Sequence, residues 1–188
     1  MLTNLTSIGE KTFIITKNLV ISLGKNLVKK NTKIYVDDGS LSFIIKKIDK
    51  YDIKCIALCD GIIKSKKGFN IPNLVFDEKF VTKKDKAFIE FAKKNNVDFI
   101  GLSFVESGKN IEDVKRILGN SNFPKIISKI ENQTGLNKIH DILKKTDLIM
   151  IDRGDLAIET NPSEVIIYQK KIISISNKMN VPVIVATE

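Results

Sequence analysis

A lysine and several carboxylates collect at the ends of two short apolar segments, and these residues are the best suited to chemistry. Lys129 and Glu131 end the first segment, whereas Asp152, Arg153 and Asp155 end or follow the second. Lys129 and Glu131 are two residues apart, so on an extended strand they project to the same side. A lysine buried beside carboxylates is costly unless the groups pair, bind a metal or hold a charged ligand. Any chemistry of this chain is therefore expected here.

The elements that must position these residues are predicted strands alternating with predicted helices. The two apolar segments are short and rich in β-branched residues, which is typical of strands in a buried parallel sheet. Thr82 and Asp85 resemble a capping box that opens a helix with Phe88, Phe91 and Ala92 on its apolar face. The predicted strands cover residues 98–104, 125–131, 147–152 and 182–187, and predicted helices connect them.

The polar residues at the carboxyl ends of these strands favour a barrel over a nucleotide-binding sheet. Ser103, Lys129 with Glu131, Arg153 with Asp155, and Thr187 follow successive strands. That placement is typical of a (β/α)₈ active site. No Gly-x-Gly-x-x-Gly follows a strand, so dinucleotide binding is not indicated. About four strands of the eight that such a barrel needs are present, so the predicted fold class is α/β with a partial TIM barrel.

The front of the chain is predicted to be a separate β module. Short β-rich runs cover residues 12–16, 33–37, 41–48 and 53–59. Asp38-Gly39 and Asp60-Gly61 predict tight turns, because glycine accepts a positive φ. We therefore predict two domains, a partial small β-barrel at residues 1–72 and a partial (β/α)₈ barrel at residues 73–188.

Composition excludes several classes of function. The chain has 188 residues, 43% of them apolar and 28% charged, with a net charge of +9. Only Arg116 and Arg153 are arginines, and nucleic-acid readout relies on arginine forks, so we predict a lysine-rich surface and no nucleic-acid partner.

No apolar run is long enough to span a bilayer, and no signal peptide opens the chain, which predicts a cytoplasmic protein with no membrane partner. Cys55 and Cys59 are interpreted as small buried hydrophobic residues.

Six short motifs occur in order along the chain: Ile34–Gly39, Lys67–Pro72, Leu102–Val105, Ile126–Asn132, Arg153–Leu156 and Val185–Thr187. Together they resemble motifs of the pyruvate kinase family. The resemblance implies that the front segment is the later part of a β-domain capping the active site. It also implies that the remainder supplies barrel strands four to seven, and that the reaction is phosphoryl transfer from phosphoenolpyruvate to ADP, giving pyruvate and ATP in glycolysis.

The resemblance implies a metal and phosphoryl site. Lys129 matches the lysine that lies against the phosphoryl group during transfer. Glu131 and Asp155 match the two carboxylates that hold a divalent metal, with oxygen ligands that suit Mg²⁺ or Mn²⁺. The family also uses K⁺, but its ligands have no counterpart in this sequence.

The resemblance further implies a set of substrate-binding residues. Gly154 and Asp155 match the positions whose backbone N–H groups hold the substrate carboxylate, and Arg153 matches an arginine that fixes this loop. Thr187 matches the threonine associated with the proton delivered to the enolate, so Lys129 and Thr187 are the candidate catalytic residues. Both are also counted among the substrate-binding residues. A complete family member is expected to be a homo-oligomer.

Three positions depart from the family pattern. Asp152 and Ala157 replace a usual Ala and Gly, and Glu106 replaces a usual Arg. Asp152 adds a negative charge beside a pocket for anions, which impairs anion binding unless Asp152 joins the metal or points into the helix layer. The first barrel strands and the family's phosphate-binding arginine also have no counterpart, so we expect an incomplete enzyme whose activity as this chain alone is open.

Two alternatives to this phosphotransferase function remain. The first is a non-catalytic remnant or binding protein that keeps a metal and phosphoenolpyruvate site without turnover. The second is an aldol or lyase barrel, which also holds Mg²⁺ with a Glu and an Asp on successive strands. Lys129, two residues before Glu131, favours phosphoryl transfer over this second alternative.

Overall fold

The computed structural model describes residues 3–5, 12–15, 28–49, 52–64, 67–72, 74 and 80–186. The chain divides into two compact units, Met1–Asp77 and Glu78–Glu188. The first unit contains antiparallel strands, and the second alternates helices with parallel strands, so the α/β class is confirmed. The predicted domain boundary after residue 72 stays a prediction. Among the described residues, no helix combines the length and the apolar character that crossing a membrane requires.

The first unit is built from short strands in two sheets. One described sheet has five antiparallel strands in the order β2-β5-β4-β3-β7, and β1 pairs with β6 in the other. Alternate residues of β4 (Leu41, Phe43 and Ile45) are buried, as the two-residue repeat of a strand requires. The strands are β1 (Thr3–Leu5), β2 (Thr12–Ile15), β3 (Lys33–Val36), β4 (Leu41–Ile48), β5 (Ile53–Ala57), β6 (Gly61–Ile63) and β7 (Phe69–Asn70).

The two predicted turns differ in structure. Asp37, Asp38 and Gly39 have φ values of 56°, 53° and 81°, so the turn at Asp38-Gly39 is confirmed. The positive φ expected at Gly61 is wrong, because this residue begins β6 outside the left-handed region. Gly61 instead permits close packing, since a Cβ there would lie 2.2 Å from Leu41 Cδ2. Cys55 is buried as predicted, but Cys59 is exposed in the bend before β6.

The second unit alternates strands and helices in the predicted order. Its strands are β8 (Phe99–Leu102), β9 (Lys125–Ile130), β10 (Leu148–Asp152) and β11 (Val183–Ala186). Its helices are α1 (Lys83–Lys94), α2 (Gly108–Leu118), α3 (Gln133–Asn137), α4 (Ile139–Leu143), α5 (Arg153–Glu159) and α6 (Val165–Lys178), with a 3₁₀ turn at Pro162–Glu164. The four strands form one parallel sheet in the chain order β8-β9-β10-β11. This sheet is open, and no closed barrel occurs among the described residues.

The helices cover one face of this sheet. Ile126 and Ile130 of β9 and Ile149 and Ile151 of β10 are fully buried in one cluster with helical residues such as Ile142. The residues that alternate with them along both strands are only half-buried. The apolar core therefore lies between the sheet and the helices, and the other face remains accessible.

Helix α1 begins as predicted but packs differently. Thr82 and Asp85 form the predicted capping box, in which the Thr82 hydroxyl accepts from the Asp85 N–H and the Asp85 carboxylate accepts from the Thr82 N–H. The predicted apolar face is wrong for Phe88 and Phe91, which are exposed. Ala92 is buried together with Ile89, because this side of the helix packs against the sheet and α2.

The helix predicted through residues 136–143 is broken in two. Lys138 has φ −105° and ψ 19° and separates α3 from α4. The expected burial of Ile139, Ile142 and Leu143 is nevertheless present. Leu136, the fourth residue of the predicted apolar face, is only partly buried but packs against the same cluster.

Candidate active site

Parallel pairing brings the candidate residues of two strands together. Met150 of β10 lies opposite Lys129 of β9, and Ile151 lies opposite Ile130. Asp152, two residues after Met150, therefore projects from the same face of the sheet as Lys129. Helix α5 begins directly after Asp152. The carboxyl ends of β9 and β10 thus place charged side chains at one edge of the sheet.

The lysine at this edge is held by two carboxylates. Lys129 Nζ lies 2.5 Å from Glu131 Oε1 and 2.9 Å from Asp152 Oδ2. Burial alone would lower the pKa of Lys129, but its hydrogen bonds to Glu131 and Asp152 outweigh burial and raise the pKa above its ordinary value. Lys129 is therefore a fixed positive charge at neutral pH.

Glu131 is the most buried charged group of the site. Its exposed fraction is 1%, and its Oε2 accepts a hydrogen bond from the Phe104 N–H. Burial raises the pKa of Glu131, and the hydrogen bonds from Lys129 and Phe104 offset only part of this effect. A buried carboxylate with a raised pKa gains stability from a nearby cation, because the cation favours its charged form.

The loop after β8 is shaped around Glu131. Phe104 has φ 51°, a left-handed conformation that is rare for a bulky residue. The next residue, Val105, is fully buried and donates its N–H to the Lys129 carbonyl. The residue that donates its N–H to Glu131 therefore has an unusual backbone geometry, which often occurs at functional sites.

A second contact ties this loop to the start of α3. Asn132 Oδ1 accepts from the Gly135 N–H, which caps α3, and Asn132 Nδ2 donates to Glu106 Oε1. A Cβ at Gly135 would lie 2.7 Å from the Val105 carbonyl oxygen, so only glycine permits this approach. Glu106, noted above as a departure from the family pattern, is thus a partner of Asn132.

Three carboxylates lie close enough to share one cation. One oxygen from each of Glu131, Asp152 and Asp155 lies within 4.8 Å of the other two. All the donors are anionic oxygens, which are the ligands that Mg²⁺, Mn²⁺ and Ca²⁺ prefer. The donor set therefore fits a hard divalent cation, and Asp152 belongs to it.

The remaining candidates occupy different positions. Arg153, Gly154 and Asp155 form the first turn of α5 and are half-buried. Ser103 is exposed just beyond β8. Thr187 lies outside the described residues, so its predicted catalytic and substrate-binding roles stay predictions.

Sequence reasoning missed one group of this site and left the role of another open. Asp152 was named among the charged residues and as a departure that could join the metal, and the strand register now places it on the face of Lys129. The Phe104 N–H carries no sequence signal, because a backbone donor is the same for every residue type except proline. Both groups contact the predicted residues directly.

Comparisons with known proteins give one consistent result. The family model for the pyruvate kinase barrel domain matches residues 7–188. The pyruvate kinase of Hypocrea jecorina is 41% identical over 178 residues, which are 92% of this chain and 33% of the relative. The pyruvate kinase of Borreliella burgdorferi is 43% identical over 163 residues, which are 86% of this chain and 34% of the relative.

A third relative has a similar sequence identity and coverage. Pyruvate kinase 1 of Saccharomyces cerevisiae is 43% identical over 157 residues, which are 82% of this chain and 31% of the relative. The chain therefore spans about a third of the length of the curated relatives it matches. Nearly all of the chain takes part in the similarity.

Proposed function

Because the chain belongs to the pyruvate kinase family, we propose that it acts in phosphoryl transfer from phosphoenolpyruvate to ADP, giving pyruvate and ATP in glycolysis. The observation that carries this proposal is the cluster of Lys129, Glu131 and Asp155 at the ends of adjacent parallel strands. One cation and several anions at such an edge suit a reaction in which charge moves between oxygens.

The charged residues have distinct roles in the proposed reaction. Glu131 and Asp155 hold Mg²⁺ or Mn²⁺, which when bound neutralises the negative charge of the substrate oxygens. Lys129 faces the phosphoryl group and stabilises its charge during transfer. The raised pKa of Lys129 supports this role, because the ammonium stays protonated at neutral pH.

The first turn of α5 and the end of the last strand complete the proposed site. Gly154 and Asp155 bind the carboxylate of phosphoenolpyruvate, and Arg153 fixes this turn. In the transfer, the bond between phosphorus and the enol oxygen breaks, and a new bond forms to a terminal oxygen of ADP. The enolate then takes up a proton at its terminal carbon, and Thr187 is the residue proposed to assist this step.

The wider setting of the site is also a proposal. Strands β8 to β11 represent strands four to seven of a (β/α)₈ barrel, which their order and one-sided helix layer support. Residues 1–72 represent the later part of the capping β-domain. We propose a cytoplasmic enzyme that uses K⁺ as well as the divalent metal and forms a homo-oligomer when complete.

One observation favours a second candidate, a binding protein without turnover. Asp152 occupies the neighbourhood of Lys129 and adds a negative charge where the proposed reaction needs to bind anions. Such a site keeps a divalent cation but binds phosphoenolpyruvate poorly. The two candidates therefore differ in turnover and share metal binding.

A coupled assay for pyruvate formation from phosphoenolpyruvate and ADP, with Mg²⁺ and K⁺, tests the proposal. The purified chain is compared with Lys129→Met and with Lys170→Met, a control that removes an exposed lysine of α6. Turnover in the unmodified chain and in Lys170→Met that is lost in Lys129→Met would support the proposal. Measurable turnover that is equal in all three would contradict the role of Lys129. A folded chain that binds Mn²⁺ without turnover would support the second candidate.

A further inference from the structure

We propose that Asp152 sets the ligand preference of this site, favouring a divalent cation and weakening the binding of phosphate-bearing anions. The inference rests on the proposed function, because it concerns the same cluster of Lys129, Glu131 and Asp155. It goes further in assigning a role to a residue that departs from the family pattern. Two features carry it, namely the ion pair with Lys129, which the strand register imposes, and the carboxylate cluster that Asp152 forms with Glu131 and Asp155.

The ion pair occupies a donor that an anion would need. An ammonium has three N–H donors. Glu131 and Asp152 each accept one from Lys129, at 2.5 Å and 2.9 Å. A phosphate that approaches Lys129 therefore competes with two carboxylates, whereas it would compete with Glu131 alone if residue 152 had no carboxylate. Asp152 thus competes directly with an anionic ligand.

The strand register holds Asp152 in this position. Met150 lies opposite Lys129, and Asp152 follows it on the same face of the sheet. The other face of β10 carries Ile149 and Ile151, which are fully buried against the helices. Asp152 cannot turn into that layer without placing a carboxylate in an apolar core. Its position near Lys129 is therefore imposed by the backbone.

The negative charge of Asp152 strengthens the binding of cations, which is opposite to its effect on anions. Glu131 and Asp155 alone offer two carboxylates, and Asp152 brings a third within 4.8 Å of both. The Asp152 side chain is 25% exposed and that of Lys129 is 22% exposed, so water screens the interaction only in part. A third partly buried carboxylate strengthens the attraction for a divalent cation.

The experiment measures Mn²⁺ and inorganic phosphate binding to the full chain. Free Mn²⁺ is followed by electron paramagnetic resonance, and phosphate binding is followed by calorimetry without metal. The variants are Asp152→Ala, the isosteric Asp152→Asn, and Asp60→Asn, which changes an exposed aspartate of the other unit. Circular dichroism verifies the fold of each variant.

We expect both Asp152 variants to bind Mn²⁺ about tenfold more weakly and phosphate several-fold more tightly than the unmodified chain, since a nearby charge is removed. Asp60→Asn should change neither affinity. Unchanged Mn²⁺ and phosphate affinities in folded Asp152→Asn would overturn the inference.

The variant Glu131→Gln distinguishes a failure of this inference from a failure of the proposed function. If Glu131 holds the metal, this variant loses Mn²⁺ binding whatever residue 152 is. A loss in Glu131→Gln with no change in Asp152→Asn would reject the role of Asp152 and leave the metal site in place. Absence of Mn²⁺ binding in the unmodified chain would reject the metal site itself, together with the inference.

Discussion

The two faces of the parallel sheet differ in burial and in chemistry, although they alternate along the same strands. On the helix-facing side, Ile130 and Ile151 are fully buried in the apolar cluster. On the other side, the neighbouring Lys129 and Asp152 form an ion pair that is partly open to water. A shift of one residue along the chain therefore separates a core position from a site position.

This difference shows where stability and function reside in the second unit. Apolar burial gives a free energy that grows with the area removed from water, and the helix-facing side supplies most of it. The ion cluster on the other side contributes less, because its Coulomb energy is offset by desolvation. Changes on one face should therefore affect folding, and changes on the other should affect ligands.

The largest expected effect on stability comes from a substitution in β10, where Ile151 and its neighbour Met150 lie on opposite faces of the sheet. Ile151→Ala should lower the free energy of unfolding by about 3 to 4 kcal/mol, because it leaves a cavity in a fully buried position. Met150→Ala, on the half-buried face, should cost about 1 kcal/mol. Urea unfolding monitored by circular dichroism measures both. Similar losses for the two variants would show that the faces do not differ in this way.

Ile151→Val provides a milder test of the same difference. It removes one methyl group and should cost about 1 kcal/mol. This variant keeps the measurement possible if Ile151→Ala does not fold.

A smaller effect is expected when the ion cluster loses its lysine. Lys129→Met leaves Glu131 and Asp152 without their cation, and should lower the free energy of unfolding by about 2 kcal/mol, less than for a fully buried pair. Added Mn²⁺ should restore much of this loss, because a ligand of the folded state stabilises it. Thermal unfolding with and without Mn²⁺ measures both effects.

The matched control for this variant is Lys170→Met, at an exposed position of α6. It should change stability little and show the same response to Mn²⁺ as the unmodified chain. If Lys129→Met were as stable as Lys170→Met without metal, the ion cluster would have no role in folding.

A small effect on stability, which depends on pH, is expected at the start of α1, away from the ion cluster. Thr82→Ala should cost about 1 kcal/mol at neutral pH, because it removes the helix cap. Hydrogen bonds from the Thr82 side chain and backbone lower the pKa of Asp85 below 3.8. Asp85 therefore stabilises the fold above that pH, and its contribution is lost as the pH falls through the lowered pKa.

Urea unfolding at neutral and acidic pH tests this prediction. The difference between the unmodified chain and Thr82→Ala should shrink in acid. Ser174→Ala, at an exposed position within α6, is the control and should change stability by less than about 0.5 kcal/mol. A cost for Thr82→Ala that does not vary with pH would contradict the coupling to Asp85.

Much of the second unit could be predicted, because the sequence patterns that indicate its strands and its first helix cap involve residues close together in the chain. The β-branched segments around Lys129 and Met150 indicated strands, and the Thr82-Asp85 capping box was confirmed. The buried face of a helix was harder to predict, because adjacent residues such as Phe88 and Ile89 are both apolar. Which of them is buried depends on the neighbouring helix and sheet, and the prediction chose the wrong one.

The same distinction applies to the candidate site. Lys129 lies in β9 and Glu131 directly follows the end of this strand, so their common side followed from a spacing of two residues. The contact between Lys129 and Asp152 joins two strands, and it depends on a register that no local pattern specifies. The hydrogen bond from Phe104 to Glu131 joins residues 27 positions apart, and Phe104 has a backbone conformation that its residue type does not favour.

The sequence by itself determined the alternation of strands and helices, the family resemblance and the residue types of the candidate site. These follow from short-range spacing, since side-chain direction repeats every two residues in a strand. Only the tertiary structure decided that Asp152 faces Lys129 and that Glu131 is almost wholly buried. The physical reason is that both depend on the pairing and packing of segments distant in sequence, where register and burial are set by the whole sheet.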